Sequence, residues 1–356
     1  MFRGLSRVYV EIVLVIIVLA SSLFVYMVYG NMISGYFGDV NFQVTRAQIM
    51  VSSSSIQVNV VLKNVGSIGW DGAIVYGFDD GGKKFVLAVP PLNPGQVGGS
   101  ILSIPAAASN LVLDASGNNV HAIVYGSTSW QPGVSGYSLR FDGSTGYAGA
   151  SNVPSTFKQV PSTIMFWVKP ERFRSYDRPV TFGSNPARAW SFYFRTGETT
   201  ITFEGNTSAR AWIYSAGGQF AVGAWRHVAE TVADGRQELY VDGSLQYVYT
   251  RSVTSFNPSA PSYIGIGGWG DGSGDRLMGN VDEVLLYGTI LSQKEISWNM
   301  RNPSMPVTRG LLAWYPMDEG TFSQYRFVQG KTYLLTAKVY TVDGKIASSS
   351  LEVVCG

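Results

Sequence analysis

Cysteine is almost absent from this chain: Cys355, one residue from the C-terminus, is the only one among 356 residues. A disulfide framework within the chain is therefore excluded, as is a metal site built on CxxC pairs. The thiol reads as an incidental terminal residue. Histidine is nearly as scarce, with His121 and His227 far apart in sequence, and no catalytic constellation forms around either. Charge is thin as well. Charged residues make up 14% of the chain, against about 25% in ordinary soluble domains. Twenty-six Lys and Arg face 24 Asp and Glu, for a net charge of +2. No basic cluster stands out, which argues against nucleic acid as a partner. The polar surface must come from Ser, Thr, Asn, Gln, Gly and Tyr, a profile that suits an exported β-rich protein.

One long apolar run is present, and it comes first. Ile12 to Val28 is interrupted only by Ser21 and Ser22. As a helix, Val8 to Tyr29 would span roughly 33 Å, enough to cross a bilayer. A secretory signal has a shorter apolar core of about 7–15 residues with a small-residue cleavage site behind it; Tyr26-Met27-Val28-Tyr29 is a poor site. Arg3 and Arg7 fit the cytoplasmic side, so the rest of the chain is expected outside. Glu11 sits just inside the run, where an unpaired carboxylate is costly. Arg3-Gly4-Leu5-Ser6 ahead of this helix resembles the class III signal of archaeal type IV pilins and archaellins. That resemblance implies a prepilin peptidase cutting between Gly4 and Leu5. It also implies a helix that leaves the membrane to pack in a filament core, with Glu11 as an assembly residue. An uncleaved signal anchor with Glu11 reaching the interface is the other reading.

Behind the helix, strand patterns take over. Ile56, Val58, Val60 and Leu62 alternate with Gln57, Asn59, Val61 and Lys63, as in a half-buried strand. Turns at 63–66, 79–82 and 90–95 separate further strands at 73–78, 85–89 and 101–104. The resulting sandwich is incomplete. At the other end of the chain, Tyr333, Leu335, Ala337 and Val339 alternate, Asp343-Gly344 marks a tight turn, and 346–354 returns. A lone hairpin needs a host sheet, and the incomplete sandwich is the nearest. Asn93-Pro94-Gly95-Gln96, Gly330-Lys331-Thr332-Tyr333 and Val342-Asp343-Gly344-Lys345 are similar to the closing half of an archaeal pilin's immunoglobulin-like head.

The middle of the chain has its own motifs. Asp114-Ala115-Ser116-Gly117-Asn118-Asn119 and Tyr137-Ser138-Leu139-Arg140-Phe141-Asp142-Gly143 open it. Ile164-Met165-Phe166-Trp167-Val168-Lys169-Pro170, Trp225-Arg226-His227-Val228-Ala229, Leu239-Tyr240-Val241-Asp242-Gly243 and 279–287 follow. In this order they resemble a laminin-G-like, concanavalin-type jelly roll over roughly residues 110–320. The segment Leu311 to Gly320 comes first in that family and last here, which implies a circular permutation. The expected fold class is mainly β: a long N-terminal apolar α-helix and an immunoglobulin-like β-sandwich interrupted by a concanavalin/laminin-G-like jelly roll. The expected divisions are a leader at 1–4, the helix at 5–36, the head at 37–108 plus 325–356, and the inserted jelly roll at 109–324.

Site expectations follow from residues and resemblance together. Glycoside hydrolases of this fold need two carboxylates flanking the bond, about 5–10 Å apart, supplied by acids alternating on one strand. No such stretch occurs, and Asp282-Glu283, being adjacent, point to opposite faces of a regular strand. No enzymatic activity is expected. The resemblance implies a structural calcium held by Asp114, Asp282 and Asp318; capping of turns is the alternative for these residues. Carbohydrate is the natural ligand of such a domain, and a protein of a neighbouring surface is the other. Among nine tryptophans, Trp167 and Trp225 fall in strand motifs and are expected in the core; Trp190, Trp212 and Trp269, with Tyr193, sit in less patterned stretches and are the candidates for a sugar-binding face, with ordinary packing as the alternative for each. Asn206-Thr207-Ser208 is an N-glycosylation acceptor. The leading expectation is a pilus-like filament subunit that polymerises with itself and displays an adhesion domain. The alternative is a non-polymerising, membrane-anchored surface binding protein.

Overall fold

The computed structural model describes residues 38–151, 153–206 and 212–356. The expectations for Gly4, Leu5, Glu11 and the apolar helix lie outside these residues, as do Thr207 and Ser208. Among the described residues no helix is long and apolar enough to cross a membrane. The fold is mainly β.

The head forms because alternation places branched side chains on one face. In the strand Ser55–Asn64, Ile56, Val58, Val60 and Leu62 are buried and the intervening residues half-buried. This strand pairs antiparallel with Phe42–Val51 on one side and Val97–Pro105 on the other. The facing sheet runs in the order Ile346–Val354, Thr332–Tyr340, Gly72–Phe78, Lys84–Val89. The C-terminal hairpin therefore joins the N-terminal strands in one sandwich, with Phe85, Leu87, Leu102, Leu335, Ala337 and Val339 in its core. Cys355 corrects the reading of an incidental terminal thiol. It is 1% exposed in this core, and burial pushes its pKa up. The flanking Gly356 N–H donates to Ile49 O (2.9 Å), and Val51 N–H donates to Gly356 O (3.1 Å), closing the sandwich edge.

The middle of the chain forms a second, larger sandwich of two sheets, each of eight strands. One sheet includes Trp212–Gly217, Ile201–Asn206, Arg188–Phe194, Val180–Gly183, Ile264–Ile266 and Tyr147–Ala150 in that order. The other includes Arg226–Ala233, Ser162–Pro170, Met278–Tyr287 and Leu311–Tyr315. Their inner faces share a core in which Phe166 meets Phe192 edge-to-face at 4.9 Å.

A third apolar layer joins the two bodies. Ile74, Val86, Ala88 and Tyr340 of the head meet Met165, Ala229, Leu285 and Trp314 on the outer face of the second jelly-roll sheet. Gly72–Phe78 and Lys84–Val89 are consequently buried on both faces and read as nearly continuous apolar runs. Helix α1 (Gln293–Arg301) fills one side of this layer with Ile296 and Trp298. Ser292 and Glu295 start it with a capping box, each satisfying the other's backbone N–H. The segment after α1 bonds to both bodies. Val307 O accepts from Tyr287 Oη (2.9 Å), Pro306 O accepts from Tyr340 Oη (2.6 Å), and Thr308 Oγ1 donates to Val89 O (2.9 Å).

Entry and exit of the inserted body lie side by side. Ala88 N–H donates to Ala115 O (2.6 Å), and Ala115 N–H donates to Trp314 O (2.8 Å). Leu113 N–H donates to Glu319 Oε1 (2.7 Å). His121 Nδ1 accepts from Asp114 N–H (2.9 Å), which leaves Nε2–H to donate to Ser103 O of the head (2.7 Å). Such proximity of entry and exit is what insertion and permutation both require.

Trp314 lies 1% exposed in the joining layer. Trp314→Ala is expected to cost about 3–5 kcal/mol in denaturant unfolding. Leu334→Ala, at a residue 59% exposed on the head strand Thr332–Tyr340, is expected to stay within about 0.5 kcal/mol.

Candidate functional site

The acids of the junction sit together because of a single extra residue. Met165 pairs with Leu285 and Trp167 with Asp282, so the strand Met278–Tyr287 carries one more residue than its partner there. The bulge residue Glu283 takes φ = 49°, a left-handed conformation that a non-glycine residue adopts rarely. Adjacent acids on a regular strand face opposite ways, and the bulge overturns that expectation here. Asp282 lies on the side of its partner Trp167, and Glu283 Oε2 accepts from Trp314 Nε1 (2.6 Å) in the joining layer.

The loop at 133–137 closes over this edge. Val134 N–H (2.7 Å) and Ser135 N–H (3.3 Å) donate to Asp282 Oδ2, and Tyr137 N–H donates to Asp318 Oδ1 (3.3 Å). A Cβ at Gly136 would overlap Asp318 Oδ1, and one at Gly133 would stand 2.5 Å from Asp282 Oδ2, so the close approach depends on both glycines. Lys84 of the head forms an ion pair with Asp318. A cavity of about 270 Å³ opens beside this pair, lined by Tyr76, Lys84, Trp314, Asp318 and Lys338 among others. Asp282, Glu283, Asp318 and Glu319 are all buried. Burial pushes the Asp282 and Glu283 carboxyls well above the carboxylate range, and the Asp318 charge adds to both shifts. Burial also pushes Glu319 up to about 7. Asp282 Oδ1, Glu283 Oε1 and Glu319 Oε2 are buried without hydrogen-bond partners.

Of the three carboxylates expected around calcium, two share this loop and one does not. Asp114 Oδ1 accepts from Ser116 N–H (2.9 Å) and Trp314 N–H (3.0 Å), and Oδ2 accepts from Ser116 Oγ (2.9 Å) and Val120 N–H (2.9 Å). With its acceptor positions taken by the chain, Asp114 caps the entry turn. Among the described residues no group of three or more His, Cys, Asp or Glu side chains is arranged to hold a metal ion. Asp282 and Asp318 fit a hard cation only as two of the six to eight oxygens that calcium takes.

Two of the candidate sugar-binding tryptophans take the packing alternative. Trp190 and Trp269 are 1% and 0% exposed, so neither presents a ring to a sugar. Trp190 packs in the jelly-roll core, and Trp269 donates from Nε1 to Asp275 Oδ2 (3.1 Å). Trp212 begins the strand Trp212–Gly217, and its side chain lies outside the described residues. Trp167 and Trp225, expected in the core, are half-buried on the outer face. The Lys169 ammonium lies 5.3 Å from the Trp225 ring centre. Asn206 ends its strand half-buried, with Oδ1 buried and unpartnered.

The outer face of the other sheet carries a cluster whose centre, Arg178, pattern reading missed. Arg178, 2% exposed, lies over Tyr176 (5.2 Å), Tyr193 (5.0 Å) and Trp269 (4.6 Å). Its Nε donates to Asp275 Oδ2 (3.0 Å) and its Nη1 to Ser191 Oγ (2.5 Å). Tyr176 comes from the turn that carries Arg178, Ser191 and Tyr193 from the strand Arg188–Phe194, and Trp269 and Asp275 from the glycine-rich loop at 267–275, so no single motif advertised the cluster.

With this geometry in view, residues 142–297 match the laminin-G model of the Concanavalin A-like lectin/glucanases superfamily. No protein of curated function is detectably similar in sequence. Domain 4 of a GH43 extracellular arabinanase from Geobacillus stearothermophilus, solved with arabinotriose, is 17% identical. The match covers 48% of this chain and 80% of that one, with a TM-score of 0.39. The binding domain of botulinum neurotoxin serotype D is 14% identical over 55% of this chain and 52% of that one, at 0.43. The serotype G binding domain is 11% identical over 65% and 51%, at 0.45. The chain thus spans about half the length of these toxin domains, and likeness at such scores carries no argument about ligand. The inserted body is a laminin-G-like, concanavalin-type jelly roll.

His227 sits on the outer face with its ring 5.2 Å from that of Trp167, and its Nδ1 is buried without a partner. Burial pushes its pKa down to about 4, against the opposing pull of the Asp242 carboxylate. A base with a lowered folded pKa binds its proton later than in the unfolded chain. Stability is therefore lost as pH falls from the ordinary 6.5 towards 4, by up to about 3 kcal/mol. His227→Phe keeps the ring contact and is expected to remove this component. The gap in unfolding free energy between variant and wild type should change in the variant's favour between pH 7 and pH 4. A gap independent of pH would contradict the assignment.

Proposed function

We propose that this chain is a cell-surface binding protein that assembles into a pilus-like filament through its N-terminal apolar segment and displays the jelly roll as an adhesion module for saccharides. The observation that carries this reading is the asymmetry of the inserted body. One sheet is mounted on the head through the joining layer, whereas the other turns its outer face, with Tyr176 49% exposed and Tyr125 42% exposed, to solvent. The inserted body is held at a fixed angle with one face outward, an arrangement suited to display. The filament component rests on Arg3-Gly4-Leu5-Ser6, the apolar run and Glu11, together with a head sandwich completed from both ends of the chain. Binding in place of hydrolysis is favoured because the gathered acids are buried, and each has one oxygen or more engaged by a backbone amide, Trp314 or Lys84. Mass spectrometry of cell-derived protein is expected to find a chain starting at Leu5, in filaments visible after shearing. An intact Met1 on surface-exposed protein would remove the filament reading and leave a membrane-anchored binding protein.

Calcium enters the same proposal as a structural ion. Asp282 and Asp318 would hold it with backbone oxygens, and its charge would relieve the repulsion that raises the neighbouring carboxyls. Chelation is expected to lower the melting temperature of wild type. Asp282→Asn is expected to abolish that sensitivity and Asp114→Asn to leave it in place. Equal melting with calcium and with chelator would contradict the ion.

A further inference from the structure

We propose that the outer face of the free jelly-roll sheet binds acidic saccharides, those bearing a carboxylate or a sulfate, at a site centred on Tyr176 and flanked by Arg174 and Arg195. This rests on the saccharide-binding reading above and adds to it a place and a charge class.

Tyr176 carries the first part of the argument. It adopts φ = 67°, a left-handed conformation that is costly for a bulky residue and persists where surroundings fix it. Its N–H donates to Phe194 O (2.9 Å). Beside it Ser175 and Thr196 interlock, Ser175 N–H donating to Thr196 Oγ1 (2.9 Å) and Thr196 N–H donating to Ser175 Oγ (3.3 Å). The ring rests against Tyr193, with centroids 5.4 Å apart, and against the caged guanidinium of Arg178. Although pinned on that side, the residue remains 49% exposed. A rigid, exposed aromatic ring is what a sugar's apolar face stacks on, because little side-chain freedom is lost on binding.

The charge class comes from what surrounds the ring. Between residues 171 and 198 the chain carries five arginines and three acids. Asp177 is fully buried and occupied by Arg172 Nε (3.1 Å) and Arg174 N–H (3.2 Å). Arg178 is committed to Asp275 and Ser191. The solvent-facing cations of this stretch are Arg174 and Arg195, with side chains 59% and 48% exposed; Arg174 Nε stands 3.9 Å from the buried Asp177 Oδ1, which leaves the rest of its guanidinium turned to solvent. Arg195 is set by its bond from Nη2 to Tyr193 Oη (3.1 Å), and Glu198, itself 48% exposed, stands at 4.0 Å from it. Guanidinium groups bind carboxylate and sulfate oxygens through paired N–H donors. One aromatic platform between two such groups selects a sugar ring carrying an anion over a neutral one.

The test is titration calorimetry on the full chain with trigalacturonate, a heparin-derived tetrasaccharide and neutral maltotriose. Binding of at least one acidic saccharide is expected, weakening as salt rises. Tyr176→Asn removes the ring while placing a residue that tolerates the left-handed backbone. This variant and Arg174→Gln are each expected to weaken acidic binding tenfold or more with an unchanged melting temperature. Galacturonate alone would mark the anion as a carboxylate, and the heparin fragment alone would mark it as a sulfate. Acidic binding unaltered in both variants would overturn the site. Binding of maltotriose alone, equal in all variants, would also overturn it and keep the broader saccharide reading. Failure of all three sugars to bind would remove both.

Discussion

Everything in this molecule depends on the seam where the inserted chain leaves the head and returns to it. Asp114 and Trp314 are 200 residues apart in sequence and joined by a hydrogen bond of 3.0 Å. Around them Ala88, Ala115, Leu113 and Glu319 extend the ladder from the head into the jelly roll. Two adjacent chain ends can be bridged by a whole domain without disturbing the host sandwich. The host remains closed by its C-terminal hairpin, and the guest by the strand Leu311–Tyr315, which pairs with Met278–Tyr287.

The seam also explains where the buried charge lies. Apolar residues cover most of the joining layer, but its edge is acidic on the jelly-roll side and carries Lys83 and Lys84 on the head side. Lys84 pairs with Asp318, and Lys83 donates to Ser323 O (2.7 Å) while lying 4.2 Å from the Tyr325 ring centre. Buried charges of this kind add little net stability, but breaking one partner is expensive. They tie the head to the jelly roll at the edge of the apolar layer, on the side away from the outward sheet.

Much of this was legible in the sequence where the physics is local. The alternation of Ile56, Val58, Val60 and Leu62, the Asp343-Gly344 turn and the jelly-roll motifs are period-two patterns and turn chemistry, and the strands lie where those signals are. The tryptophans were not legible, because alternation separates the two faces of a strand without saying what covers each. Trp167 lies on the face turned to Asp282 and His227, and Trp190 faces the core. The bulge at Glu283 was hidden for a related reason. Its signature is a register difference between partners more than 100 residues apart in sequence, which no single strand records. Arg178 was missed because its cage is assembled from three separate segments.

The central claim is that head and jelly roll form one mechanical unit, held by the apolar layer and the seam. Differential scanning calorimetry of the full chain tests it most directly. One transition, with calorimetric enthalpy equal to the van't Hoff value, is the result the account predicts. Two resolved transitions, one for each sandwich, would contradict it.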